Sequence, residues 1–253
     1  MQNNLFLRSL RLSDELPKGS YLNQVAAIRH LKRMGELNFQ KPVTFLVGEN
    51  GVGKSTLIEG IAVAMGFNPE GGSINFSFST EDSHSELYRF LTVSKGTKRR
   101  KDGYFLRAES YYNVASNIDQ MDRQLLSIPD VPKLIDSYGG TSLHKQSHGE
   151  SFLSLIEHRF GGNGIYILDE PEAALSPMRM MELICHIHDL VEKDSQFIIS
   201  THSPILMAYP DAEVLQISEK GIESVSYEDT EHFRLTRQFL NAPEKMLQYL
   251  LEK

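Results

Sequence analysis

The stretch "GENGVGKST" at 48–56 constrains this chain more than any other. It has the spacing G-x-x-x-x-G-K-[ST]. "VTFLV" at 43–47, a short continuous apolar run, precedes it, and "KSTLIEGIAVAM" at 54–65, apolar at helical spacing, follows. Strand, Gly-rich turn and helix in that order form a phosphate cradle. The glycines let backbone N–H groups converge on phosphate oxygens with no Cβ in the way. The helix N-terminus adds its partial positive charge. Gly48, Glu49, Asn50, Gly51, Gly53, Lys54, Ser55 and Thr56 are therefore the expected nucleotide contacts. Lys54 is expected to reach the β- and γ-phosphates, and the Ser55 hydroxyl to be a ligand of Mg²⁺. A plain Gly-rich turn before a helix is the bland reading, and the flanking elements weigh against it.

Two later apolar runs, "IYIL" at 165–168 and "FIIS" at 197–200, read as further buried parallel strands. The helix "SPMRMMELICHIHDLVEK" lies between them, with Ser176 as N-cap and Pro177 in the first helical position. Strand, helix and strand in this order predict an α/β fold with a mostly parallel sheet. The first of these strands ends in Asp169 and Glu170. An acid at a strand tip beside the cradle can hold Mg²⁺ through water, the role expected of Asp169. Glu170, one residue further, is placed to polarise an attacking water. "FIISTHSP" ends the next strand with His202, which the parallel order brings to the same sheet edge. His186 and His188, two apart on one helix, point to different faces and do not make a zinc site.

The 253 residues suit one large domain or two small ones. A net charge of −7 means that any nucleic-acid contact must come from a local patch. Lys95, Lys98, Arg99, Arg100 and Lys101 form the one cationic cluster, equally explained as a solvated hairpin tip. Cys185 is the only cysteine, which excludes an internal disulfide and fits a reducing compartment. It is expected on a buried helix face. The N-terminus lacks a signal-peptide apolar region, and no stretch reaches the ~18 apolar residues of a membrane span, so a cytoplasmic location is expected.

"LFLRSLRL" reads as a first strand. "SINFSFS", "LYRFLTVS" and "GYFLRAES" also read as strands, with "KGTKRRKDG" as a hairpin tip. Residues 111–145 are polar, with two helical stretches. The organisation expected is a single domain over 1–253, with an antiparallel β-arm at about 72–110 and a small helical lobe at about 111–160 inserted in the core. Two helices are expected at the end.

Together "GENGVGKS", "SHGE", "IYILDEPE", "AALS" and "STHSP", in this order, resemble the ATP-binding-cassette (ABC) ATPase superfamily. The likeness spans about 50–205. It is nearest to small stand-alone bacterial ATPases, on the DNA-repair and chromosome-maintenance side rather than the transporter side. The family's signature reads Leu-Ser-Gly-Gly-Gln and caps the γ-phosphate of ATP bound to a second subunit. The aligned residues run Gln146, Ser147, His148, Gly149, Glu150. The resemblance therefore implies that Ser147 and Gly149 act in trans, in a homodimer formed around ATP. A plain N-cap at Ser147 is the alternative. His148 and Glu150 depart from the pattern, and a carboxylate near a γ-phosphate repels it, so Glu150 is expected to cap its own helix. Ser176 stands where the family usually has Asp. The resemblance also implies Tyr21 as the aromatic stacked on adenine, and Glu109 in place of the glutamine that links Mg²⁺ to the helical lobe.

These readings imply an enzyme that binds ATP and Mg²⁺ and hydrolyses ATP, with Lys54, Glu170 and His202 catalytic and Ser55, Asp169 and Glu109 at the metal. The use expected is DNA repair, maintenance or defence, through DNA or a partner effector protein. The ATP-binding subunit of an ABC transporter is the alternative. A P-loop kinase or GTPase would need neither a trans signature nor His202, and Asn-Lys-x-Asp is absent.

Overall fold

In the computed structural model the apolar runs become a sheet buried on both faces. The residues described are 5–13, 15–73, 85–108 and 148–252. In chain order the first elements are β1 (Leu7–Leu12), α1 (Ala26–Met34), β2 (Leu37–Asn38), β3 (Val43–Val47), α2 (Lys54–Ala64), β4 (Gly72–Ser73), β5 (Leu91–Lys95) and β6 (Asp102–Arg107). Then follow α3 (His148–Arg159), β7 (Gly164–Asp169), α4 (Pro177–Glu192), β8 (Gln196–Ser200), α5 (Pro204–Met207), β9 (Glu213–Ile217), β10 (Ile222–Val225), α6 (Glu231–Asn241) and α7 (Pro243–Leu251).

A seven-stranded sheet runs β10-β9-β3-β8-β7-β6-β4. Its five inner strands are mutually parallel, and β10 and β4 close the edges antiparallel. The mixed α/β class with a mostly parallel sheet is as the sequence predicts. Every residue of β3, β7 and β8 is buried, which explains why these strands read as unbroken apolar runs rather than alternating ones. Side chains still alternate between two cores. Phe45, Tyr166, Leu168 and Phe197 meet Phe152, Leu155 and Ile156 of α3 and Leu183 and Ile187 of α4. Leu46, Ile165, Ile167 and Ile198 meet Leu57, Ile58 and Ile61 of α2 and Ile28 and Leu31 of α1. Each such side chain contributes about 1.5–3 kcal/mol through burial.

A second sheet, β2-β1-β5, is antiparallel. Gln196, buried at the start of β8, ties the two sheets together. Its amide accepts from Leu7 N at 2.8 Å and donates to Leu7 O at 2.9 Å. The strands expected in "LYRFLTVS" and "GYFLRAES" form as β5 and β6, but "KGTKRRKDG" between them is not a hairpin tip. β5 pairs with β1, while β6 lies parallel to β7, so residues 96–101 cross from one sheet to the other. Two cations of the crossing are engaged there. Lys98 Nζ lies 2.9 Å from Asp194 Oδ2, and Arg100 Nη2 donates to Met65 O at 2.7 Å. Only Lys95, Arg99 and Lys101 of the cluster remain exposed.

Most of "SINFSFS" and the helical stretches of 111–145 lie outside the described residues. Cys185 corrects a second expectation: it is exposed. The buried face of α4 is Met180, Leu183, Ile187 and Leu190. At ~100° per residue, Cys185 falls opposite Leu183. Ser176 does cap α4, accepting from Arg179 N. Both C-terminal helices form, as α6 and α7. Among the described residues no helix is long and apolar enough to cross a membrane.

Candidate active site at the strand ends

Because β3, β8 and β7 are adjacent and parallel, their C-terminal ends share one edge. Leu46 pairs with Ser200, and Ser200 with Asp169. Loops after such strands are where open parallel sheets place ligands.

The 48–53 loop leaves β3 and ends in α2, whose N-cap is Gly53. Glycine is required at both ends of the loop. Gly48 has φ +151° and a Cβ there would lie 2.1 Å from Ile217 O. Gly53 has φ +96° and a Cβ there would lie 2.1 Å from Val25 Cγ1. Lys54 Nζ folds back under the loop and donates to the carbonyls of Gly48 and Glu49, each at 2.9 Å. Burial holds its pKa below the ordinary lysine value, while the carboxylates of Glu170, Asp169 and Glu172 oppose that shift. Glu49, Asn50 and Gly51 are exposed, and Ser55 and Thr56 are half-buried on the first turn of α2.

Asp169 is buried at the end of β7. Ser200 Oγ donates to its Oδ1 at 2.5 Å, and Arg107 Nε lies 3.4 Å from its Oδ2. Arg107 also donates from Nη1 to Glu59 Oε2 of α2 at 2.6 Å, so one guanidinium joins β6, β7 and the cradle helix. Glu170 has φ 49° and ψ 54°, a left-handed conformation that costs a non-glycine residue on the order of 1–2 kcal/mol. Such a cost at a strand tip accords with a functional position. The Glu170 N–H donates to Ser200 O at 3.0 Å, and its Oε1 lies 3.4 Å from His202 Nε2. His202 is fixed from two further sides. Its backbone N–H donates to Glu172 Oε1, and its Nδ1 lies 2.9 Å from His232 Nε2. Burial first, then the neighbouring His202 and Lys54, lower the pKa of His232.

The sheet edge therefore brings together Lys54, Asp169, Glu170 and His202. Tyr21 is exposed on the short 3-10 turn that leads to Val25. Gly149 sits in the first turn of α3, where a Cβ would lie 3.3 Å from Ala174 O. Glu150 Oε1 lies 3.8 Å from Arg179 Nη2, so the carboxylate expected to cap its own helix also faces a cation on α4. Ser147 and Glu109 lie outside the described residues. Four residues of this edge escaped sequence reasoning: Glu59, Arg107, Glu172 and His232. Arg107 carried a signal, being a charged group at the end of a strand, and Glu172 a weaker one, lying in the 3-10 turn just after β7. His232 carried none.

The model of the AAA domain family matches residues 24–158, which take in the cradle, β6 and most of α3. The chain belongs to the AAA domain family. No curated protein matches it. Among solved structures, this AAA domain superposes on a proposed metal-chelate type ABC transporter in an inward-facing conformation. The TM-score is 0.50 at 16% identity, over 94% of this chain and 89% of that one. CbiO1 of Clostridium perfringens, part of the ABC transporter complex CbiONQ, gives 0.48 at 17% over 98% and 100%. The SMC head domain of Thermotoga maritima gives 0.41 at 16% over 88% and 99%. The first superposition supports the ABC-type P-loop fold, and all three identities are too low to carry function.

The AAA domain's own residues fit a nucleoside triphosphate with a divalent cation. The loop is shaped so that only glycine fits at its ends, and a buried ammonium waits beneath it. Among the described residues no cluster of three or more His, Cys, Asp or Glu could hold a metal ion alone. Ser55 on the first turn of α2 and Asp169 at the end of β7 offer one hydroxyl and one carboxylate, donors of the kind a divalent cation shares with phosphate and water.

Proposed function

We propose that this AAA domain binds ATP with Mg²⁺ and hydrolyses it. The observation that carries the reading is the meeting of Glu170, His202 and Lys54 at the end of three adjacent strands, with Glu170 Oε1 3.4 Å from His202 Nε2. Lys54 would leave the Gly48 and Glu49 carbonyls for the β- and γ-phosphates, and the freed loop N–H groups would converge on the same oxygens. Ser55 and Asp169, the latter through water, would hold Mg²⁺. Bound there, the metal neutralises phosphate charge. Glu170 would accept a proton from water as its oxygen bonds to the γ-phosphorus and the bond to the β-phosphate oxygen breaks, leaving ADP and phosphate. His202 Nε2 would donate to the γ-phosphate. Tyr21 is proposed to stack on adenine, and Glu109 to meet the metal from the 109–147 segment.

Ser147 and Gly149 are proposed to complete the site of a second copy in an ATP-bound homodimer. The packing of Gly149 against Ala174 and Arg179 supports this, since it sets the start of α3 beside the segment after β7. The proposed role is in DNA maintenance, repair or defence, through DNA or a partner effector. Of the cationic cluster, Lys95, Arg99 and Lys101 are exposed and lend it their charge. A kinase or GTPase site would have no use for His202 in this position.

ATPase rate measured against protein concentration, with and without DNA, tests the reading. We expect phosphate release per chain to rise steeply with concentration. A flat profile would remove the trans assignment, and absence of phosphate release would remove the ATPase. Stimulation by DNA is the expected sign of the DNA-linked role, and an unchanged rate would count against it.

A further inference from the structure

His232 stands outside every motif of the site yet touches its histidine. It belongs to the first turn of α6, after the N-cap Thr230. That start is firmly held. Thr230 is buried, its Oγ1 donates to Tyr227 O at 2.8 Å and accepts from Phe233 N at 3.3 Å, and the Tyr227 and Phe233 rings lie 4.5 Å apart. His232 Nε2 is thereby presented to His202 Nδ1 at 2.9 Å, with the rings edge-on at 63°.

A hydrogen bond between two neutral imidazoles needs one N–H and one lone pair, so it fixes a tautomer on each ring. With both rings neutral, two arrangements are possible. With the proton on His202 Nδ1, its Nε2 would present a lone pair to the Glu170 carboxylate 3.4 Å away. Two acceptors would then face each other, and a phosphate would add a third. With the proton on His232 Nε2, His202 Nδ1 accepts, and His202 Nε2–H becomes a donor toward acceptors only. Among the described residues His202 Nε2 is buried and has no hydrogen-bond partner, with Glu170 Oε1 at 3.4 Å, so the donor faces the space where a group would bind. Burial lowers the pKa of His232, which favours the neutral ring that a single donor from Nε2 requires.

We infer that His232 is a positioning residue: by donating from Nε2 to His202 Nδ1 it holds His202 in the tautomer that carries its proton on Nε2, facing Glu170 and the phosphate end of the nucleotide. The inference rests on the proposed ATPase reading, in which His202 acts at the γ-phosphate. It adds that the C-terminal helices are joined to the chemistry through one side chain.

The test uses the full chain. His232→Leu is expected to lower kcat for ATP about tenfold, the scale for losing a partner that orients a working imidazole, with KM for ATP little changed. His232→Gln, whose amide N–H can replace the Nε2 donor, is expected to recover most of the rate. The double variant His202→Ala/His232→Leu is expected to be no slower than His202→Ala, because His232 acts only through His202. Nitrogen-15 NMR of the imidazoles, which needs no activity, is expected to show His202 protonated on Nε2 in the wild type and a mixture of tautomers in His232→Leu. A wild-type His202 protonated on Nδ1 would overturn the inference, as would an unchanged kcat in His232→Leu where His202→Ala is slow. If His202→Ala hydrolyses ATP at the wild-type rate, the catalytic role of His202 fails instead, and the tautomer measurement still decides what His232 does.

Discussion

The strand-end edge and the C-terminal helices are built on opposite terms. Every residue of β3, β7 and β8 is buried, and Asp169, Ser200, Arg107 and Glu59 are locked to one another. Neither α6 nor α7 has a buried residue. Leu240, Leu250 and Leu251 are 70%, 70% and 75% exposed. Helices of 11 and 9 residues are too short to be stable without tertiary support, since isolated helices under ~12–15 residues are marginal in water. The difference shows where rigidity is required. Under the proposed ATPase reading, charge stabilisation at a phosphate depends on groups that need not reorganise, and burial on both faces of a sheet supplies that. The helices meet this edge through the anchored first turn of α6, so whatever orders or displaces that turn reaches His202 directly.

The largest effect should come from the cradle. Lys54→Ala removes the buried ammonium, and calorimetry is expected to show loss of high-affinity ATP binding. Binding at the wild-type level would strip the edge of its assigned role and leave only a structural contrast. Next comes the contrast itself. Phe197→Ala in β8 should cost about 3–5 kcal/mol of stability, because it empties a fully buried site. A third substitution separates chemistry from folding at the same edge. Glu170→Gln is expected to bind ATP and to hydrolyse it at least ~10²-fold more slowly, the scale for losing a general base. With hydrolysis blocked, size-exclusion chromatography with Mg²⁺ and ATP should show the dimer, and a monomer loaded with ATP would argue against it. The smallest effect belongs to α7. Leu250→Ala should change the unfolding free energy read from urea titration by less than ~0.5 kcal/mol, as for surface positions away from special features. A large loss there would mean that the exposed helices are held by contacts of their own, and the contrast would break.

The sequence by itself determined the Gly-rich loop, its flanking strand and helix, the acids at and just after the end of β7 and the histidine after β8. All of these are local patterns. A Gly-rich turn reports backbone conformation, a continuous apolar run reports burial on both faces, and a residue at a strand tip inherits its place from the strand. The phase of α4 was also local information, since Leu183 and Ile187 mark the buried side and leave Cys185 outside. The tertiary structure alone decided which strands pair. β5 and β6 are close in the chain and look like a hairpin, yet they belong to different sheets because β1 competes for one and β7 for the other. It alone placed Arg107 between Glu59 and Asp169, and His232 beside His202, across 48 and 30 residues of chain. No periodicity encodes such contacts. They arise when packing of the two cores brings the ends of separate elements to one edge, and a lone polar side chain acquires its partner only there.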